Sequence, residues 1–347
     1  MIEHEFLLSR RFGFGPRITP RRDRSADFAE LLLGEIAGGG DHPLVGEKLP
    51  TVAQALSEHD AFQEEAKRLA AIKEQAEARR AIEAARKEAM LKGERVPPGY
   101  LPPARRIFNA DATFRFRAAI EADTGFTERL VWFWSNHFSV AVSKGNHVEI
   151  TVGAFEREAV RPNIFAAFNS LLKAAERHPT MLMYLDNHLS VGPKSRAGAR
   201  RGRGLNENHA RELLELHTMG VNGGYTQDDV TTLAKALTGW TVGRQIDEEG
   251  ELGAFHFNAH RHEPGQKTVL GRTYADTGLA QGEHILDDLA RHPSTANFIA
   301  WKLVRHFIED EPDVARVAKI AKVFRATGGD LSKVYIALVE AGIAAKE

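Results

Sequence analysis

Residues 206–218 read Asn-Glu-Asn-His-Ala-Arg-Glu-Leu-Leu-Glu-Leu-His-Thr, with charged side chains recurring at helical spacing. Asn206 is placed to cap a helix beginning at Glu207, and Gly220 stands where a left-handed glycine would end it. At about 100° per residue, Glu207, Arg211, Glu215, Asn208 and Glu212 share an arc of roughly 140°, opposite Leu216, Leu213, Ala210 and Leu214. His217 falls in the middle of the apolar arc and His209 at its edge. A row of three acids bridged by one arginine can keep one carboxylate ionised and raise the pKa of another, as general acid–base catalysis requires. It also reads as a charged outer face with a core histidine behind it.

Two further strings put polar residues among apolar ones. Trp132-Phe133-Trp134-Ser135-Asn136-His137-Phe138 ends an aromatic helix in Asn-His, and Met183-Tyr184-Leu185-Asp186-Asn187-His188 ends another in Asp-Asn-His. Each has a structural reading, as a hydrogen-bonded core histidine or a turn. With the Glu row they make a candidate catalytic set of Glu207, Arg211, Glu212, Glu215, His137 and Asp186, with Asn136, Asn187 and Asn208 as substrate-binding residues. The Gly- and Arg-rich stretch 192–204 adds Arg200 and Arg201, either meeting an anionic ligand or lying on a solvated loop.

Paired carboxylates without a Ser or Cys nucleophile suit glycosidic chemistry, so the leading expectation is a hydrolase-like enzyme acting on a polysaccharide or cell-envelope substrate. A metal-dependent alternative uses Asp186, His137 and the Glu row to hold a divalent metal. Glu212-x-x-Glu215 supplies neither Glu-x-x-His nor His-Glu-x-x-His, however. The third alternative is a non-catalytic binding or scaffold protein whose Glu/Arg row is a structural network. A calcium loop ending at Asp229 is excluded, because its first and third ligand positions would be Thr218 and Gly220.

The elements that must position these residues are helical. Three- and four-residue apolar spacing predicts helices at 27–36, 127–137, 152–160, 164–175, 207–218, 227–237, 282–290, 295–308, 314–326 and 331–340. Strand patterns are confined to 138–142 and to 267–274, the latter with a turn at Gly271. Thr226 and Asp229 form a capping box, and Gly239 closes the helix they open. The expected fold is mainly α, a multi-helix orthogonal bundle with at most one or two short β-hairpins and one long exposed charged helix. That charged helix is an Ala-, Glu-, Lys- and Arg-rich arm from Gln63 to Lys92, followed by Pro97-Pro98-Gly99 and Pro102-Pro103 as a linker. The organisation is then an N-terminal helical part of the core (1–62), the arm and linker (63–106) and a main helical domain (107–347).

Composition narrows the class. Of 347 residues 43% are hydrophobic and 27% charged, an ordinary globular balance. A net charge of -1 gives no bulk field for a polyanion, which argues against nucleic acid as a partner. Without cysteine there is no disulfide framework and no thiolate chemistry. No apolar run is long enough for a transmembrane segment. Ser9-Arg10-Arg11-Phe12 is not followed by an apolar stretch, so the chain as given reads as cytoplasmic, or as exported or periplasmic if its N-terminus is incomplete.

Several strings taken in order resemble one bacterial family. They are Arg11-Phe12-Gly13-Phe14-Gly15-Pro16, the Phe-Trp-Ser-Asn-His-Phe string ending at Phe138, Met183-Tyr184-Leu185-Asp186-Asn187 and the run from Asn206 to Thr218. Gly223-Gly224-Tyr225-Thr226, Leu237-Thr238-Gly239-Trp240, residues 255–271, His292-Pro293-Ser294-Thr295-Ala296, Lys302-Leu303 and His306-Phe307 continue the match. Over nearly its whole length the chain thus resembles domain of unknown function 1800. The resemblance implies a largely helical fold and no assigned activity. It also implies, as a partner, a second protein of a phosphatase- or sulfatase-like class; a carbohydrate is a candidate ligand on the ground of the paired carboxylates. The sequence departs from the family pattern in lacking an export signal, in reading His262-Glu263 for the usual His-Asp, and in ending at Glu347 where members run on through another helical section.

Overall fold

Apolar faces of successive helices meet around the aromatic helix Phe126–His137, whose Phe126, Leu130, Phe133 and Trp134 are buried. The computed structural model describes residues 2–15, 27–39, 49–70, 102–201, 204–243 and 251–345, with isolated positions between 80 and 91. The chain is mainly α-helical. Among the described residues strands occur only as two antiparallel pairs, Trp240–Val242 with Phe255–Phe257 and Lys267–Val269 with Arg272–Tyr274.

Burial of aromatic and branched side chains supplies most of the cohesion. Phe12 stacks on Phe307 and meets Phe126 edge-on, which locks helix Ile2–Phe12 and helix Pro293–Phe307 against the central helix. Deeper in, the Trp134 indole donates to Tyr335 Oη at 2.6 Å, and Tyr335 Oη–H donates to the Ile164 carbonyl at 2.8 Å. A smaller cluster of Val52, Ala55, Leu56, Ala104, Ile107, Ile150 and Ala154 joins helix Val52–Ala70 to helix Pro103–Glu121.

Helices Gln227–Leu237 and Val314–Ala326 run where the periodicity places them, and Thr226 and Asp229 form the expected capping box. The hairpin at 267–274 forms with its turn at Gly271. Three expectations need correction. Residues 138–142 form no strand: Phe138 is driven into the core while its N–H still bonds the Trp134 carbonyl, and Val142–Lys144 is a single 3-10 turn. Pro103 is not a linker residue but opens helix Pro103–Glu121, where the missing proline N–H costs nothing. The helix expected from Ile164 starts at Phe168, because 161–163 form a separate 3-10 turn. The charged arm lies for its greater part outside the described residues, and its start continues helix Val52–Ala70, with an exposed Lys67–Glu64 pair at 2.6 Å.

Candidate active site

Asn206 Oδ1 accepts from the Asn208 N–H at 2.9 Å, and helix Asn208–Glu212 then passes into a π turn, Leu213–His217. The expected uninterrupted α-helix is therefore corrected. Leu214 O accepts from both Met219 N–H and Gly220 N–H, and Gly220 has φ +82°, which only glycine adopts without strain. A π turn takes up one extra residue, so every side chain after it is rotated by about 100° from its place on an α-helical wheel.

Glu207, Arg211 and Glu215 stay together as a row. Arg211 Nη2 lies 3.3 Å from Glu207 Oε2, and Nη1 lies 3.7 Å from Glu215 Oε1. The row turns toward helix Gln227–Leu237, where Glu207 accepts from Thr231 Oγ1 at 2.7 Å and from Gln227 Nε2 at 2.8 Å. The Thr231 hydroxyl, with help from Gln227 and Arg211, holds the Glu207 carboxyl below its ordinary range despite some burial. These three side chains form a satisfied, partly exposed network.

Glu212 leaves that row and lines a cavity of about 180 Å³ with Asn136, His137, Tyr184, His217 and Lys302. Lys302, from helix Pro293–Phe307, donates to His137 Nδ1 at 2.8 Å, and His137 Nε2–H donates to the His217 carbonyl at 3.0 Å. The two contacts together set the imidazole tautomer. Burial brings the Lys302 ammonium down to about 8. Burial, then the charge of Lys302, keeps His137 neutral, well below the ordinary histidine range.

Behind the cavity wall lies a residue that the sequence reading passed over. Glu176, on helix Phe168–Arg177, is wholly buried, with Oε2 2.7 Å from His209 Nε2 and Oε1 2.7 Å from His217 Nδ1. The His217 contact is too poorly aligned for a hydrogen bond, so it acts electrostatically. Burial alone would raise the Glu176 pKa, but the two imidazoles outweigh it and bring the carboxyl down to about 2. On an α-helix His209 and His217 would stand about 80° apart; the extra residue of the π turn reduces this to about 20°, so both reach one carboxylate. The signal was available, since Glu176 falls four residues after Leu172 on the apolar face of its helix.

The other expected site residues are dispersed. Asp186 pairs with Lys144 at 2.5 Å outside the cavity wall. Asn187 is 1% exposed and ties down the Leu237 and Trp240 carbonyls, which is a structural task. Asn208 is exposed at the start of its helix, whereas Asn136 does line the cavity. The side chains of Arg200 and Arg201 lie outside the described residues. The metal-ligand set does not assemble, since both His137 nitrogens are engaged and Asp186 is elsewhere. Among the described residues no three His, Asp or Glu side chains converge as metal donors.

Fold and site together define a mainly helical protein with a partly buried lysine–histidine contact at the edge of a small polar cavity. The family model described as a protein of unknown function, DUF1800, matches residues 7–347, and the chain belongs to that family. No curated protein and no solved structure matches it.

Proposed function

We propose that the cavity is the active site of a hydrolase-like enzyme working by proton transfer, with Lys302 as general base and Glu212 and His217 as polar groups that face the same space. The observation that carries this reading is the 2.8 Å contact between Lys302 Nζ and a neutral His137 in a cavity that Glu212 and His217 also line. A partly buried amine brought down to about 8 is partly unprotonated at physiological pH, and in that form it removes a proton from an attacking hydroxyl or water. Glu176 serves as a positioning residue for His217, a buried carboxylate behind an imidazole that faces the reaction.

For the Glu207–Arg211–Glu215 row the scaffold reading is favoured, because each of its charges already meets a partner on the same or the neighbouring helix. The two-carboxylate glycosidase arrangement would need a second acid facing Glu212, and the row turns its other acids away. The test is a set of chromogenic ester, amide and glycoside substrates. Lys302→Met and Glu212→Gln should stay folded and lose activity by about 100-fold or more, while Glu215→Gln keeps it. Equal activity in all three variants would remove the cavity from the chemistry.

A further inference from the structure

The apolar face of helix Val52–Ala70 carries Val52, Ala55 and Leu56 into the smaller core cluster, and His59 takes the next place on that stripe. It is 5% exposed, with Nδ1 enclosed and without a hydrogen-bond partner among the described residues. The other buried histidines among the described residues all meet polar partners. His209 and His217 meet Glu176, His178 meets Glu158, His137 meets Lys302, and His262 Nδ1–H donates to the Thr238 carbonyl at 2.9 Å.

His59 faces a second imidazole instead. His147, exposed on the short helix Asn146–Glu149, has its ring centroid 5.5 Å from that of His59, with the two planes 74° apart. No hydrogen bond from a described residue reaches the His147 ring either. Two adjoining surface clefts, of about 340 and 770 Å³, share His59, Gln63 and Asn146 in their walls, and His147 lines the larger. With Nδ1 enclosed, Nε2 is the His59 nitrogen that meets this space.

An edge-on contact of two neutral imidazoles leaves a nitrogen lone pair on each without a donor. Two such lone pairs attract a cation. Imidazoles bound to one tetrahedral metal ion at about 2.0–2.1 Å have ring centroids roughly 5 to 6 Å apart, and the pair here meets that separation. Gln63 and Asn146 bring neutral amide oxygens to the shared wall, and the larger cleft sets Asp60 and Glu64 against Lys67, an excess of negative charge that disfavours an anion. Imidazole donors suit zinc, nickel or copper(II), whereas magnesium and calcium take carboxylates and water. We infer that His59 and His147 form a two-histidine site for a divalent transition-metal ion of this class, bound through one nitrogen of each ring and completed by water. Such an ion would staple helix Val52–Ala70 to the segment 146–149, apart from the acid–base cavity.

Calorimetric titration of the metal-free full chain with zinc chloride, and in parallel with nickel and magnesium chlorides, tests the inference. His147→Gln should weaken zinc binding by about tenfold or more, whereas His284→Gln, an exposed histidine on helix Leu279–Arg291, leaves it unchanged. His147 is exposed, so its replacement leaves the fold intact and the comparison stands even if His59→Gln unfolds. Saturating zinc should also raise the melting temperature of the wild type and of His284→Gln, but not that of His147→Gln. Absence of zinc and nickel binding at millimolar metal, binding that His147→Gln leaves unchanged, or equal binding of magnesium overturns the inference.

Discussion

Lys302→Met removes the ammonium while keeping an unbranched side chain of similar length, and its effect on stability can be worked from the site. Burial brings the ammonium from its ordinary 10.5 to about 8, so the folded state binds fewer protons than the unfolded chain between those values. Stability therefore rises with pH across this window, and the full burial penalty is present below pH 8. Integrated from pH 7 to pH 10, this one group contributes about 2.5 kcal/mol of added stability to the wild type and none to the variant. Other groups titrating in that range largely cancel in the difference. Urea unfolding of both proteins at the two pH values reads it directly. The wild-type stability minus that of Lys302→Met should be greater by about 2.5 kcal/mol at pH 10 than at pH 7. A change below about 0.5 kcal/mol would mean that the amine is solvated at its ordinary pKa, and the assignment of Lys302 as a base would fall. In a working assay, the rate should climb through pH 8 as the amine loses its proton.

Glu176→Gln should cost about 3–5 kcal/mol in denaturant unfolding at neutral pH, because two buried imidazoles lose their anion. The Glu176 pKa is depressed to about 2 in the folded state, so its stabilisation is present above the ordinary 4.5 and lost as pH falls toward 2; acid titration of wild type and variant should converge in that window. Glu207→Gln should change stability by no more than about 1 kcal/mol, since its partners are partly exposed; a loss of 3 kcal/mol or so would show that the row is buried in solution. Gly153→Ala should lower the melting temperature, as a Cβ there would collide with the Asp111 carboxylate; forcing that side chain away costs about 1–3 kcal/mol, and an unchanged melting curve would refute this packing.

The legible part of the fold was the part governed by local periodicity and capping. Gln227–Leu237 begins with a capping box whose two members are three residues apart, and it carries its apolar residues at regular spacing. Pro102-Pro103 is ambiguous in the sequence because proline marks a linker and a first helical turn equally well; the difference lies in Ala104 and Ile107 packing with Val52 and Leu56, which no local window contains. Residues 138–142 alternate like a strand, yet a strand needs a partner, and the buried Phe138 serves the core instead.

At the site the π turn accounts for part of the boundary of legibility, since Glu212, before it, leaves the row while Glu215, within it, stays near Arg211. Glu207 and Arg211 precede it, and their four-residue spacing translated directly into contact. His217 belongs to it, and the wheel that placed this residue in the apolar arc assumed an even rotation that the backbone does not follow. The π turn leaves an irregular run of backbone bonds, which Thr218 helps to satisfy by donating its hydroxyl to the Leu213 carbonyl at 2.6 Å. The turn also brings a second imidazole to within 2.7 Å of the buried Glu176 carboxylate. The same turn carries the His217 carbonyl to His137 Nε2, which leaves Nδ1 free to accept from Lys302. The distortion of one helix thus fixes the tautomer on another, and the Lys302 amine, 165 residues beyond His137 in the chain, is positioned through contacts that no period in the sequence records.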